Sequence, residues 1–339
     1  MPRLRRSWRS CERIRLHTIN DIGDWNMKYR QYKTFDLKKM RPNVLVLGNG
    51  LIYDTTISWP KLIKGVCREG RDVSKYEKGE KGRFYVPNTV LTLATSIVED
   101  SPRRKQYSEI FKDTKYPECD NIKNLLQMPF DAVLTTNYTY ELEAALNPSY
   151  PGSSVETKRK YAAVTENKSD AKYLIHTFNS VRPDSPDIWH IHGELRCPNS
   201  IILSHDEYAR YTYRIIEYMK SRGNSYCACE QALNFQSWID YFILGNVYIL
   251  GLSMDFAEFD LWWLLSRRLR EKAPCGRIIF YEARKEENKY KQMALIDSGV
   301  EVETCGMIGE KDIDYNLFYG KAIDDIKLQI AKDRRTIHV

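Results

Sequence analysis

Four short apolar runs in this chain each end in residues able to bind or activate a ligand. The first, Val44 to Leu47, ends in Gly48-Asn49-Gly50-Leu51. Glycine lets the main chain take positive φ and lets a ligand approach it closely. A phosphate could then rest on amide groups at the start of the following helix. The third glycine of the dinucleotide fingerprint is missing, and a turn without a ligand reads the same way. The second run, Ala132 to Leu134, ends in Thr135-Thr136-Asn137-Tyr138. The Asn137 amide is both donor and acceptor, which suits ribose hydroxyls or a water, and the same segment could instead cap the next helix. The third run is Ile188-Trp189-His190-Ile191-His192-Gly193. Histidine titrates near neutral pH, so His192, placed where the strand should stop, is a candidate general base and His190 a second candidate. The alternative is a structural histidine. The fourth run, Val247 to Leu250, ends in Gly251-Leu252-Ser253, a glycine and a hydroxyl suited to ribose or phosphate.

The elements that must hold these residues follow from the runs themselves. Apolar stretches rich in β-branched residues read as strands buried on both faces of a parallel sheet. In an open α/β sheet, ligands bind at the carboxyl ends of the strands, where all four polar endings fall. Along a strand the side chains alternate, so His190 and His192 are expected on one face, with Trp189 and Ile191 on the other. Ser58 and Pro60 open a helix with apolar Leu62, Ile63 and Val66, and a second helical stretch runs from about Asn88 to Glu99. Glu141 and Glu143 fall in the first turn of a helix expected from Tyr140 to Leu146, where the helix dipole favours acids. Ile201 to Leu203 reads as a short strand. Ser204 with Glu207 is a capping box opening a largely helical stretch, broken at Gly223-Asn224, whose tyrosines read as packing residues. Asp255 with Glu258 is a second such box, opening a helix from Phe256 to Glu271. Strands at Arg277–Tyr281 and Val300–Thr304 and a helix from about Tyr315 to Ala331 close the chain.

Composition bounds the function. The 339 residues suffice for one large domain with insertions or two modest ones, and 42% hydrophobic content with 12% aromatics is globular. No run of about 18 apolar residues is present, so no transmembrane helix is expected. The basic start lacks the apolar segment of a secretory signal. Eight cysteines are scattered, with only Cys227 and Cys229 close together, so free thiols in a reducing cytoplasm are expected rather than a zinc site. Net charge is +7, but residues 1–41 hold 12 Lys/Arg against 4 Asp/Glu, leaving 40 against 41 for the rest. The excess could form a basic arm for nucleic acid or an acidic partner, or a solvated leader, or mark an early start with Met27 or Met40 behind it.

Taken together, these segments resemble the sirtuin-type NAD-binding fold, in particular its bacterial branch of NAD-consuming defence proteins. Gly48-Asn49-Gly50-Leu51 stands where that family cradles the diphosphate. Ser58-Trp59 with Leu62-Ile63 is similar to the branch's Ser-Trp-x-x-Leu-Leu. Thr135-Thr136-Asn137-Tyr138 resembles its Thr-Thr-Asn-Tyr-Asp, whose Asn is catalytic, and His192-Gly193 resembles its catalytic His-Gly. Gly251-Leu252-Ser253 is similar to the Gly-Thr-Ser that holds the adenosine ribose. There are departures. Thr139 replaces the Asp of the Asn-Tyr-Asp motif, Phe280-Tyr281-Glu282 stands where Asn-x-Glu is usual, and the zinc module of protein-deacylating sirtuins is missing.

The resemblance implies an α/β, Rossmann-like parallel sheet of sirtuin type. It would occupy residues 42–335 behind a basic extension at 1–41, with helical insertions at about 55–125 and 204–242. It implies NAD as substrate, no metal, and cleavage to nicotinamide and ADP-ribose in an abortive-infection effector held inactive until triggered. Asn137 would orient the ribose hydroxyls or the water, and His192 would be the base. Gly48, Asn49, Gly50, Leu51, Thr135, Thr136, Gly251 and Ser253 would line the NAD site. The expected setting is cytoplasmic, as a homo-oligomer, with an ATPase or other defence-system partner conceivable and no membrane. Two other readings stand beside it: an NAD-dependent protein deacylase, and a non-enzymatic nucleotide-binding scaffold.

Overall fold

The computed structural model describes residues 33–52, 77–78, 83–84, 116, 118–147, 185–195, 200–226, 232–271, 275–283, 289–305 and 314–335. The apolar runs of the sequence become the strands of one six-stranded sheet. In chain order these are β1 (Asn43–Leu47), β2 (Ala132–Thr135), β3 (Asp187–His190), β4 (Asn246–Leu250), β5 (Ile278–Glu282) and β6 (Glu301–Thr304). They lie in the order β6-β5-β4-β1-β2-β3, and every neighbouring pair is parallel. Val44 at the centre stands opposite Ala132 on one side and Val247 on the other. The chain builds outward from β1 to β3, then crosses back to β4 and builds the other way. This is the Rossmann-like, doubly wound α/β arrangement, and the strand order reverses between β1 and β4.

Alternation along β1 explains why Val44 to Leu47 are all apolar. Val44 and Val46 enter a core with α3 (His205–Arg222), α4 (Trp238–Leu244), α5 (Phe259–Arg270) and α6 (Lys289–Asp297). Leu45 and Leu47 enter a second core, on the opposite face, with α1 (Asp120–Leu126), α2 (Glu141–Leu146) and α7 (Tyr315–Arg335). Covering both faces is what parallel strands require. Helix α7 is tied to the sheet by carboxylates: Tyr248 Oη donates to Asp333 at 3.1 Å and Tyr281 Oη to Asp325 at 2.8 Å. The outer strand β6 carries exposed Glu301 and Glu303 on its edge, charges that discourage edge-to-edge pairing with another chain.

The helix signals hold in part. Ser204 and Glu207 form the expected capping box of α3, and Ser237 with Asp240 forms a second one opening α4. The largely helical stretch to residue 242 breaks at Gly223 as expected, in a 3-10 turn, Gly223–Tyr226. The strand expected at Ile201–Leu203 is not formed; Ile202 N–H bonds the His192 carbonyl at 3.0 Å. Helix α5 begins at Phe259 rather than Phe256, because Asp255 accepts from Ala257 N–H within a turn and Glu258 makes no side-chain cap.

Part of the expected leader belongs to the folded body. Thr34–Phe35 pairs antiparallel with Leu233–Asn234, and Phe35 and Leu37 are buried in the first core. Residues 1–32, the Ser58-Trp59-Leu62-Ile63 segment and the helix expected at 88–99 lie outside the described residues. Of the insertion at 55–125, an antiparallel pair, Glu77–Lys78 with Arg83–Phe84, and helix α1 are described. Among the described residues, no helix is long and apolar enough to cross a membrane, and Cys119, Cys275 and Cys305 are free thiols.

Arg268 locks the far end of this layer. Buried in α5, its guanidinium donates to the carbonyls of Phe242, Gly245 and Gly276, where α4 ends and β5 is about to begin. Replacing it strands several buried carbonyls, each costing about 1–3 kcal/mol when unsatisfied. Arg268→Met should therefore lower unfolding stability by about 3 kcal/mol or more, against about 1 kcal/mol for the cap variant Ser204→Ala. Urea titration of both variants checks the order.

Candidate functional site

The reversal of strand order brings two glycine turns together. Gly48 N–H donates to Leu250 O at 3.1 Å, and Gly50 N–H donates to Gly251 O at 2.7 Å. Gly251 has φ +68°, and a Cβ on Gly48 would lie 2.5 Å from Gly251 O. The two strand ends therefore meet main chain to main chain, which no larger residue at position 48 permits. Two of the amides expected to cradle a phosphate are engaged in this joint. Asn49 and Leu51 lie in a short 3-10 turn, Asn49–Ile52, with Leu51 packed against the second core. Ser253 is exposed, and its carbonyl accepts from Lys291 Nζ at 2.7 Å. Lys291 also pairs with Glu282 at 2.8 Å, so the glutamate ending β5 braces the loop after β4.

The Asn137 turn is built from beneath. Thr135, wholly buried at the end of β2, accepts Asn137 N–H at 3.1 Å, so its hydroxyl shapes the turn and does not face a ligand. Thr136 is half-buried. His190, at the end of β3 in register with Thr135, donates from Nδ1 to the Asn137 carbonyl at 2.7 Å and from Nε2 to Glu143 at 2.7 Å. Burial alone would push this imidazole down. The adjacent Glu143 carboxylate overrides burial and carries the pKa to about 9. With both nitrogens donating, His190 is a clamp on Asn137 and not a base. Thr139, standing for the expected Asp, donates to buried Glu141. Burial pushes Glu141 up to about 7, opposed by the Thr139 hydrogen bond. Both acids stand in the first turn of α2 as expected, and their carboxylates also serve the Asn137 turn.

His192 lies on the other side. The strand stops at His190, so the alternation expected to put both histidines on one face does not reach His192. Its Nε2 meets Asp260 Oδ2 at 3.0 Å, and its Nδ1 faces Tyr208 Oη at 3.4 Å and Glu258 Oε2 at 3.6 Å. Tyr208 in turn donates to Glu258 at 3.3 Å. Burial disfavours the charged ring, but Asp260 and then Glu258 outweigh it and raise its pKa. Burial raises Glu258 to about 7, with His192 pulling it back. Gly193, at φ +93°, lets the chain turn hard against Ser200, whose carbonyl a Cβ would strike. Tyr208, read from the sequence as packing, and Glu258, read as a cap, both belong to this cluster. Asp260 carried no signal beyond its place in the first turn of an apolar helix.

His192, Glu258 and Asp260 offer donor atoms within 4.8 Å of one another, a composition a divalent ion can use. Asp260 approaches Nε2 and Glu258 approaches Nδ1, so the ring lies between two acids. The paired glycine turns, the Asn137 turn and the His192 turn all lie on the carboxyl rim, at the ends of neighbouring strands β4, β1, β2 and β3.

Comparison with known proteins bears on the same segments. The profile of the SIR2-like domain matches residues 131–294, which include Asn137, His192, Ser253, Glu258 and Asp260 and leave out the Gly48 turn. NAD(+) hydrolase ThsA of Bacillus cereus (strain MSX-D12) is 26% identical over 196 residues, covering 56% of this chain and 36% of its own length. The chain thus spans about a third of the curated relative it matches.

The His190 clamp has a pH signature. The folded imidazole holds its proton more tightly than a free one, so its stabilising effect is complete below 6.5 and lost as pH climbs through about 9. The window corresponds to roughly 3 kcal/mol, at about 1.4 kcal/mol per pKa unit. The raised Glu141 acts in the same direction but at lower pH, its contribution being lost between 4.5 and about 7. Wild-type stability should therefore fall between pH 6.5 and 9, with a flatter profile in Glu143→Gln. Denaturation midpoints across that range check it; parallel profiles would contradict the clamp.

Proposed function

We propose that this chain, a sirtuin-like protein by its SIR2-like domain, cleaves the N-glycosidic bond of NAD to give nicotinamide and ADP-ribose. The observation that carries the reading is the placement of the Asn137 and His192 turns at the ends of adjacent strands, beside the glycine joint where the sheet reverses. A crevice of that kind is where open α/β sheets take dinucleotides. Similarity to an NAD(+) hydrolase supports NAD as substrate.

Nicotinamide departs as a neutral molecule from a pyridinium, so no acid need protonate it. The glycosidic carbon–nitrogen bond breaks with its electron pair going to the ring nitrogen. The ribose carbon becomes cation-like, as in glycoside hydrolysis, and a water oxygen bonds to it. The protein's tasks are to hold the ribose, exclude bulk water and accept the water's proton. Asn137, fixed through its carbonyl by His190, presents its amide to the ribose hydroxyls or the water. His192 serves proton transfer, and the Gly48–Leu51 and Gly251–Ser253 turns flank the diphosphate and the adenosine ribose.

NAD-dependent deacylation is disfavoured by the missing zinc module, and a defence role, with oligomeric assembly and a trigger, follows the resemblance. The test is nicotinamide release from NAD by purified protein, alone and in whatever oligomer it forms. Asn137→Ala and His192→Ala should each lower release about 100-fold or more, the range of general base and positioning losses. Undiminished release in both variants would refute the assignment, and tight NAD binding without turnover would favour a scaffold.

A further inference from the structure

His192 is poorly placed to accept a proton alone. Its side chain is 2% exposed, and both ring nitrogens already face acids or a hydroxyl. Asp260, behind it, is wholly buried, and among the described residues its second oxygen has no partner, so the imidazole offsets its charge. Glu258 keeps 14% of its side chain exposed and is the member of the cluster that reaches outward.

Polar contacts link the cluster from end to end. His192 Nε2 meets Asp260 Oδ2 at 3.0 Å, Tyr208 Oη faces His192 Nδ1 at 3.4 Å, and the Tyr208 hydroxyl donates to Glu258 at 3.3 Å. From this we propose that Asp260, His192, Tyr208 and Glu258 form a proton relay, with Glu258 as its outward, proton-exchanging end and Asp260 as a positioning residue at its inner end. The inference rests on the hydrolase reading and refines it. As the water oxygen bonds to the ribose carbon and the electron pair leaves with nicotinamide, the water's proton passes to the Glu258 carboxylate. The Tyr208 and His192 hydrogen bonds shift to share the charge, and the proton is later released to solvent.

The groups that set this titration come from three elements. Tyr208 and Tyr211 face the ring from α3, Asp260 from α5 and Glu258 from the turn before it. Asp255 in that turn and Tyr138 in the Asn137 turn act on Glu258 and Tyr208 from further off. Buried charge of this kind persists only where it is paired.

The test combines the His192 imidazole titration by NMR, assigned with His192→Gln, and the pH profile of nicotinamide release in the full chain. Glu258→Gln should lower kcat at least tenfold, leave KM within about twofold and remove the acid limb of the profile. Asp260→Asn should lower the proton affinity of His192 about tenfold or more, with a smaller kcat than Glu258→Asp, which keeps the carboxylate. Thermal melts separate misfolding from a lost relay. An active wild-type protein whose pH profile and His192 titration are both unmoved by these changes overturns the relay. An inactive wild-type protein with the titration coupled as described overturns the hydrolase reading and leaves a coupled cluster with no part in hydrolysis.

Discussion

Two imidazoles, two residues apart, are each buried against carboxylates, and the site depends on that pairing. A charge taken from water costs several kcal/mol unless a partner and hydrogen bonds compensate it. His190 finds Glu143 and the Asn137 carbonyl; His192 finds Asp260, Tyr208 and Glu258. Each pairing draws a different helix onto the end of β3. Helix α2 is held to the turn that presents Asn137, and α3 and α5 are held around His192. The electrostatics that stabilise the buried rings are thus also what fixes the rim of the sheet.

The glycine joint is the second constraint, and it is steric. Parallel strands β1 and β4 leave the sheet side by side, and their following turns must diverge from one another. With Gly48 and Gly50 lying against Gly251, the main chains touch before they part. In open α/β sheets, ligand crevices form at such a reversal point. The same close approach explains why glycines recur there without any ligand being invoked, and it places a ligand, if one binds, against backbone rather than side chains.

Much of this was legible in the residues. Val44 to Leu47 and Val247 to Leu250 read as doubly buried strands because nothing polar interrupts them, and both are. Ser204 with Glu207 read as a cap because the spacing closes two hydrogen bonds on one turn, and it does. Glu258 misled for a related reason: Asp255 three positions earlier copies the capping spacing, yet tertiary contact with Tyr208 and His192 draws its carboxylate away. His190 and His192 were read on one face because period-two alternation was carried one turn too far. Asp260 was invisible, since nothing in Phe259-Asp260-Leu261 announces a partner 68 positions earlier. Thr139 in place of Asp looked like a loss, but a local sequence window does not reveal that Glu141 would fold back onto it.

The claim at the centre is that a pyridine dinucleotide lies along the carboxyl rim, with the Asn137 amide and the His192 cluster on either side of its nicotinamide ribose. A crystal structure of Asn137→Ala soaked with NAD tests this most directly. The expected result is density for the diphosphate over the paired glycine turns and for the nicotinamide ribose between positions 137 and 192. Density for NAD at another surface, or a ribose that His192 and Glu258 do not approach, would contradict it.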